Sequence, residues 1–189
     1  MNQHPPDDLI RFLEETDRQL STSHGLIIIG GAAALLGHAA ARPTADIDLV
    51  TRIPKDLENA FTKARVITGL DIPVTTVGVY DGPYEYETRL EDLDLGLKRL
   101  SIQIPERHDL VLMKVVRGYE HDIQVIAEMH QASPLDMATL TQRYKTEMTH
   151  VIGRPAVLRL SFLLMIQTLF GTEAAKQIED KLPEDQDRA

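Results

Sequence analysis

The feature that most constrains the fold of this chain is a pair of glycines, Gly30 and Gly31, placed directly after a short apolar run. The run, residues 26–29, is rich in β-branched residues, a pattern typical of a buried strand. Residues 32–36 are alanine and leucine and favour a helix. Glycines let a phosphate approach the main chain, and a helix N-terminus presents unpaired N–H groups. The sequence therefore predicts a strand, a tight turn and a helix that bind phosphate.

Two aspartates, Asp46 and Asp48, alternate with the apolar residues Ile47 and Leu49 in the next predicted strand. Because successive side chains on a strand point to opposite faces, the two carboxylates should share one face. Neighbouring carboxylates repel each other unless a positive charge lies between them. Mg²⁺ (or Mn²⁺) suits this position, since hard cations of this kind bridge one or two carboxylates to substrate phosphates. The pair therefore predicts a metal site.

Length and composition limit the class of protein. A chain of 189 residues suits one domain, or one domain with a helical extension. The net charge of −9 lacks the basic footprint of a general nucleic-acid binder. The chain has no cysteine, which excludes disulfides and thiolate zinc sites. No signal peptide and no long charge-free apolar stretch is evident, so we expect a cytoplasmic protein without membrane contact.

Strand and helix patterns alternate early in the chain, and helical patterns run together late. This order predicts an α/β (α+β) fold, in which a small mixed β-sheet with flanking helices precedes a helical C-terminal region. We expect a nucleotidyltransferase-like domain with an N-terminal helix over residues 1–131, a helical extension over 132–182 and a frayed tail over 183–189.

Several element boundaries follow from local signals. Strands are expected over residues 74–80 and 97–104. The helix after the glycines should end near Ala41, because Pro43 disfavours helical angles at the residue before it. Ser133, followed by a proline, is predicted to be the N-cap of a late helix. The most apolar segment, Val157 to Phe170, is interpreted as a buried helix, with a partner or dimer surface as the alternative.

The order of an apolar residue, two glycines, a spacer and Asp-x-Asp resembles the signature of the nucleotidyltransferase (DNA polymerase β-like) superfamily. More narrowly, the chain resembles the bacterial nucleotidyltransferase-like group called DUF6036, which lies near the AbiEii toxins. Three stretches carry the narrower match: the diglycine with the Asp pair, residues 84–90, and residues 109–114 followed by His121 and Asp122. The resemblance covers roughly residues 26–130 and implies transfer of a nucleoside monophosphate from a nucleoside triphosphate (NTP).

The resemblance also implies roles for individual residues. Asp46 and Asp48 would be catalytic metal ligands, and Gly30 and Gly31 would bind the β and γ phosphates. Lys114 would be a catalytic and phosphate-binding cation; the alternative is an ordinary solvated lysine.

Asp122 would orient this lysine or bind a substrate group; the alternative is a surface acid. Active members usually add a third carboxylate from a later strand, and the predicted strand 97–104 contains no acid. Glu87, Asp92 and Asp94 are candidates, and nothing in their spacing chooses among them. Each of the three belongs to an acid-x-acid pair, for which a solvated, charged surface is the favoured interpretation.

Two functions remain open. The first is a Mg²⁺-dependent nucleotidyltransferase that moves a nucleoside monophosphate from an NTP to a hydroxyl of a protein or tRNA acceptor. For it the resemblance implies a toxin–antitoxin or defence system, and the acidic charge favours a protein acceptor over RNA. The second is a catalytically impaired module that binds nucleotide or a protein partner. A dinucleotide-binding fold is disfavoured, because the glycines do not follow G-x-G-x-x-G.

Overall fold

The computed structural model describes residues 2–77, 81–151 and 154–182. It divides into two compact units. The first consists of Met1–Tyr80 and Arg89–Pro105, and the second of Asp81–Thr88 and Glu106–Ala189. No helix among the described residues is long and apolar enough to cross a membrane.

The first unit contains the sheet. Its elements in chain order are α1 (Pro6–Gln19), β1 (His24–Ile29), α2 (Gly30–Gly37), β2 (Ile47–Leu49), α3 (Lys55–Thr68), β3 (Val74–Thr76), β4 (Glu91–Leu93) and β5 (Leu100–Ile104). The strand order is β3-β2-β1-β5-β4. β1 pairs antiparallel with β2 and parallel with β5, β2 pairs parallel with β3, and β4 pairs antiparallel with β5. The predicted small mixed sheet is therefore confirmed.

One face of this sheet forms the core of the first unit. Alternate residues of β2 and β5 are buried, as the period of two in a strand requires, and β1 buries Leu26 and Ile28 in the same way before ending at the buried Ile29. α1 and α3 pack against each other in the same unit. The rings of Phe12 and Phe61 stack between these two helices with centroids 5.9 Å apart. The opposite face of the sheet is less buried. Most of its side chains, Asp48 among them, are half-buried or exposed.

Asp17, at the end of α1, anchors that helix to the start of β5. Its Oδ1 accepts backbone N–H groups of Lys98, Arg99 and Leu100 at 3.1, 2.6 and 2.8 Å. Burial on its own would raise the pKa of the carboxyl, but these donors hold the pKa below its ordinary value. β5 begins at Leu100, three residues later than predicted, at the segment whose N–H groups bind Asp17.

The helix after the diglycine is shorter than predicted, since α2 ends at Gly37 and not near Ala41. A Cβ atom on Gly37 would lie 2.0 Å from Cδ1 of Ile104, so the chain packs tightly there. Ala39 then adopts a φ of 55°, which is not helical. The chain therefore leaves the helix before Pro43 can influence it. Of the predicted strand over residues 74–80, β3 covers 74–76, and residues 78–80 lie outside the described part.

The second unit is helical, as predicted for the C-terminal region. Its helices are α4 (Arg107–Arg117), α5 (Glu120–Ala132), α6 (Met137–Glu147), α7 (Pro155–Phe170) and α8 (Thr172–Glu179), with a short 3-10 helix over Tyr86–Arg89 where the chain passes between the two units. α7 packs on α4, α5 and α8, and its Phe162, Met165 and Ile166 are fully buried. The predicted frayed tail over 183–189 lies outside the described residues.

The prediction that Ser133 is a helix N-cap is wrong. Ser133 follows the last turn of α5, and the N-cap of α6 is Asp136, whose Oδ1 accepts the N–H of Ala138 at 3.1 Å. The backbone N–H of Asp136 also donates to Nε2 of His108 at 2.9 Å. This contact with α4 favours Asp136 over Ser133 as the N-cap of α6.

Glu106 ties α4 to α6. Its carboxylate accepts hydrogen bonds from Nδ1 of His108, at 2.6 Å, and from the guanidinium of Arg143. Arg143 also donates to Oδ1 of the fully buried Asp109 at 2.8 Å. Burial would raise the pKa of Glu106, but the bonds from His108 and Arg143 outweigh it and lower the pKa to about 2.

Candidate functional site

The diglycine forms the turn between β1 and α2. Gly30 has a φ of 68°, in the left-handed region that favours glycine. A Cβ atom on Gly30 would lie 3.3 Å from Oδ2 of Asp48. The antiparallel pairing explains this proximity, since Asp48 on β2 lies opposite Ile29, the residue before Gly30. The turn therefore brings the Asp48 carboxylate against the backbone at the start of α2.

Thr44 lies between Gly31 and Asp46 and contacts both. A Cβ atom on Gly31 would lie only 2.6 Å from Oγ1 of Thr44, and Thr44 is 8% exposed. The same hydroxyl lies 3.4 Å from Oδ1 of Asp46 and can donate to it. No periodicity predicts a role for Thr44, and its position two residues before Asp46 is the only local signal in the sequence. Thr44 brings the Asp46 carboxylate to the diglycine as well.

Asp46 and Asp48 flank the fully buried Ile47 as the strand pattern predicts, although β2 is assigned only from Ile47 onward. Both aspartates are half-buried. Oδ1 of Asp48 accepts the hydroxyl of Thr75 at 2.8 Å. Thr75 lies directly opposite Asp48 on the parallel neighbour strand β3. The structure thus brings Gly30, both aspartates and a threonine from the adjacent strand to one end of the sheet.

The chemistry of these donors suits a hard cation. Among residues 2–77, 81–151 and 154–182, no group of three or more histidine and carboxylate side chains could hold a metal. A pair of carboxylates still fits Mg²⁺, which is commonly bound by one or two carboxylates together with substrate phosphates. The donor set therefore suits the predicted Mg²⁺ (or Mn²⁺), and the metal site stays a prediction.

Asp92 is too far from Asp48 to be the third ligand. It lies on β4, opposite Gln103 of β5, and its Oδ1 accepts the Gln103 amide at 3.0 Å. Three strand spacings separate β4 from β2. Since neighbouring strands are roughly 4.8 Å apart, the separation is roughly 14 Å or more. One metal ion cannot contact both carboxylates across that distance.

The other two candidates have local partners. Oδ1 of Asp94 accepts the backbone N–H of Gly96 at 2.9 Å, which stabilises the turn after β4. Glu87 belongs to the second unit, where its Oε1 accepts the Tyr86 hydroxyl at 3.3 Å. Burial and this carboxylate together raise the pKa of Tyr86 to about 12. None of these contacts identifies a third metal ligand.

Lys114 and Asp122 form a buried ion pair in the second unit. Their side chains are 3% and 1% exposed, and Nζ lies 3.2 Å from Oδ1. Arg117 adds two bonds to the same carboxylate, at 2.7 and 3.2 Å. Burial would raise the pKa of Asp122, but Arg117 and Lys114 hold it below its ordinary value.

This burial contradicts the alternatives of a solvated Lys114 and a surface Asp122. It agrees with the interpretation that Asp122 orients the lysine. The assignment of both residues to phosphate binding rests on the family resemblance and stays a prediction.

A five-stranded mixed sheet with flanking helices, and with carboxylates at a diglycine turn, defines an α+β fold of the nucleotidyltransferase-like class. The chain belongs to the family described as nucleotidyltransferase of unknown function (DUF6036), whose family model matches residues 7–161. Membership confirms the predicted family and indicates nucleotidyltransferase activity in general. The likeness to AbiEii toxins stays a prediction. No significant match to a curated protein or to a solved structure was found.

Proposed function

We propose that this protein is a Mg²⁺-dependent nucleotidyltransferase that moves a nucleoside monophosphate from an NTP to a hydroxyl of a macromolecular acceptor, a protein or a tRNA. One observation carries the proposal. The carboxylates of Asp46 and Asp48 both reach the diglycine turn, the first through Thr44 and the second by direct approach to Gly30. A phosphate cradle and a pair of metal-binding oxygens would then act on the same substrate.

In this proposal the diglycine binds the β and γ phosphates of the NTP. Neither glycine has a Cβ atom, so phosphate oxygens can approach the backbone N–H groups at the start of α2. The dipole of the helix adds a partial positive charge at the same point. The turn requires glycine at position 31, because Thr44 already occupies the space that a Cβ atom would need.

Asp46 and Asp48 would hold the metal, which supplies positive charge to the phosphates when it is bound. The acceptor hydroxyl oxygen forms a bond to the α-phosphorus, and the bond from that phosphorus to the bridging oxygen breaks. Pyrophosphate leaves with the electron pair, and the hydroxyl proton passes to water. The chain itself contributes position and electrostatic stabilisation, which account for most of the rate enhancement in phosphoryl transfer.

A second candidate is a module of the same fold that binds nucleotide or a protein partner without chemistry. Thr75 favours it, because the residue directly opposite Asp48 on the neighbouring strand is a hydroxyl donor and not an acid. Two carboxylates are enough to bind one metal–nucleotide complex. They carry less negative charge than a site for two metal ions would require. Nucleotide binding without transfer would identify this function.

The deciding experiment incubates the protein with each α-³²P-labelled NTP, Mg²⁺, and either total tRNA or cell lysate, and then follows the label. Asp46→Asn and Asp48→Asn should each lower transfer by about a thousandfold, since each removes metal stabilisation worth several kcal/mol. Asp71→Asn is the control, because Asp71 is exposed and precedes β3. Transfer that is unchanged in Asp46→Asn and Asp48→Asn would exclude this mechanism.

The proposed biological setting is a toxin–antitoxin or defence system. Induced expression of the wild-type chain should then slow bacterial growth, and Asp48→Asn, expressed to the same level, should not. Equal growth with both proteins would separate the enzymatic proposal from the toxin proposal, since labelling in vitro could still occur.

A further inference from the structure

His4, in the segment before α1, pairs with Thr44 through the backbone. The N–H of His4 donates to the carbonyl of Thr44 at 2.7 Å, and the N–H of Thr44 donates to the carbonyl of His4 at 3.2 Å. This antiparallel bridge lies outside the five strands of the sheet. Because the two residues exchange both bonds, they lie directly opposite each other, and their side chains lie on the same side of the bridge. The segment before α1 is therefore held beside Thr44.

Thr44 lies in the connection between α2 and β2, outside any helix or strand. Its Oγ1 fills the space beside Gly31 and can donate to Oδ1 of Asp46 at 3.4 Å. A bond of this length is close to the limit of hydrogen bonding, so a small shift of Thr44 breaks it. The bridge to His4 therefore controls whether the Thr44 hydroxyl can hold the Asp46 carboxylate.

The imidazole of His4 is buried, with the residue only 4% exposed. Its Nδ1 lies 3.5 Å from Oδ2 of Asp8, in the first turn of α1. Its Nε2 is also buried and has no hydrogen-bond partner among the residues that the structure describes. An unpartnered buried nitrogen costs stability, which an apolar side chain would avoid, and exceptions of this kind are expected at functional sites. Stability alone therefore does not explain a histidine here.

We propose that His4 is a positioning residue for Asp46, a metal ligand in the proposed function. The imidazole connects the bridge to α1 through Asp8, the bridge holds Thr44, and the Thr44 hydroxyl holds the Asp46 carboxylate beside the diglycine. His4 acts only through Thr44 and is not a catalytic residue. The proposal rests on the proposed function, since the position of Asp46 matters to the reaction only if this carboxylate binds metal.

The first test removes one bond of the bridge and leaves Thr44 unchanged. His4→Pro and His4→Ala both lack the imidazole, but only proline also lacks the N–H that bonds the Thr44 carbonyl. Mn²⁺ binding is measured by the loss of the free-ion electron paramagnetic resonance signal. His4→Pro should bind Mn²⁺ roughly threefold to tenfold more weakly than His4→Ala, which is the effect of one lost backbone hydrogen bond.

Gln3→Pro is the matched control, because it places the same ring at the exposed residue before the bridge and should bind Mn²⁺ as the wild type does. Circular dichroism confirms that the variants fold. Equal Mn²⁺ affinity in His4→Pro and His4→Ala would overturn the proposal.

The second test separates positioning from a purely structural role. His4→Leu keeps the backbone bridge and removes the unpartnered nitrogen, so urea unfolding should show a protein at least as stable as the wild type. It loses the contact with Asp8, so its Mn²⁺ affinity should fall roughly twofold to fivefold. His4→Asn, whose amide can donate in place of Nδ1, should recover most of that affinity although its smaller side chain makes it less stable. Affinities that follow stability, and not the donor to Asp8, would overturn the proposal.

Asp46→Asn distinguishes a failure of this proposal from a failure of the proposed function. If Asp46→Asn loses Mn²⁺ affinity while His4→Pro binds as tightly as His4→Ala, only the role of His4 is wrong. If Asp46→Asn binds Mn²⁺ as the wild type does, Asp46 is not a metal ligand, and the proposed function is wrong together with the role of His4.

Discussion

Gly31→Ala tests the tight contact that joins the diglycine to Asp46. The new Cβ atom would lie 2.6 Å from Oγ1 of Thr44, which cannot remain in place at that distance. Overpacking a buried contact costs about 1–3 kcal/mol, and moving Oγ1 also weakens its long hydrogen bond to Asp46 by about 0.5 kcal/mol. Alanine regains up to about 1 kcal/mol of helix propensity. We therefore expect a net destabilisation of about 1–2 kcal/mol.

A double-mutant cycle with Thr44→Ala isolates the contact. Thr44→Ala removes the atom that the new methyl group would meet, so the double variant should recover about 1–2 kcal/mol relative to the sum of the single changes. Urea unfolding followed by circular dichroism measures all four proteins. Gly25→Ala is the control, since its Cβ atom would meet Oγ of Ser101 at an ordinary 3.5 Å. Additive effects, or a Gly31→Ala protein as stable as the wild type, would refute the contact.

The same cycle separates stability from function. The double variant regains stability, but it lacks the Thr44 hydroxyl that can donate to Asp46, a proposed metal ligand. Calorimetric titration with an NTP and Mg²⁺ should therefore show affinity at least roughly tenfold weaker than wild type. Full affinity in the double variant would show that nucleotide binding does not depend on the contact between Thr44 and Asp46.

Three further predictions concern buried charges. Asp17→Ala should lower the free energy of unfolding by about 3–5 kcal/mol, measured by urea unfolding, because three backbone N–H groups lose their acceptor. Glu106 has a native pKa of about 2, below its unfolded value, so its contribution to stability is present above pH 5 and is lost as the pH falls toward 2. Glu106→Gln should flatten this acid dependence by up to about 3 kcal/mol, measured as the free energy of unfolding between pH 2 and 7. Asp122→Asn should cost about 3–5 kcal/mol by leaving Lys114 buried without a full countercharge, and Lys114→Met in the same protein should recover part of the loss in a thermal melt.

The parts of the site that could be predicted are those with a local signal. The glycines end a β-branched run, and the alternation around β2 places the buried Ile47 between the half-buried Asp46 and Asp48. Each inference needed only a few neighbouring residues, because strand periodicity and glycine conformations are local properties. The turn at the diglycine and the alternation around Ile47 are therefore found in the structure, while the functional roles of these residues stay predictions.

The parts that were missed depend on contacts distant in sequence. Asp17 binds the start of β5 more than 80 residues later, and no periodicity predicts which carboxylate accepts those N–H groups. Ser133 and Asp136 are both good capping residues, and only the contact from His108 across to α6 favours the second. β4, with its acidic sequence, forms a strand because it pairs with β5 at the sheet edge and not because of its own propensity.

Thr75 gives the most direct test of how the carboxylate pair works. It faces Asp48 across two parallel strands, and its hydroxyl donates to Oδ1 at 2.8 Å. In Thr75→Asp a third carboxylate replaces that donor. Without metal, three adjacent negative charges repel, and the variant should unfold more easily than the wild type.

With metal the sign reverses if Asp46 and Asp48 are ligands. A third carboxylate raises the affinity for Mn²⁺, and a ligand that binds the native state stabilises it by RT ln(1 + [L]/Kd), so a tenfold gain in affinity adds about 1.4 kcal/mol at saturating metal. Thr75→Asn is the matched control, because it has the same shape without the charge. The melting temperature of Thr75→Asp should therefore rise with Mn²⁺ concentration more steeply than that of Thr75→Asn. Equal responses would mean that the carboxylates at the diglycine do not bind metal, and the nucleotidyltransferase proposal would lose the chemistry it depends on.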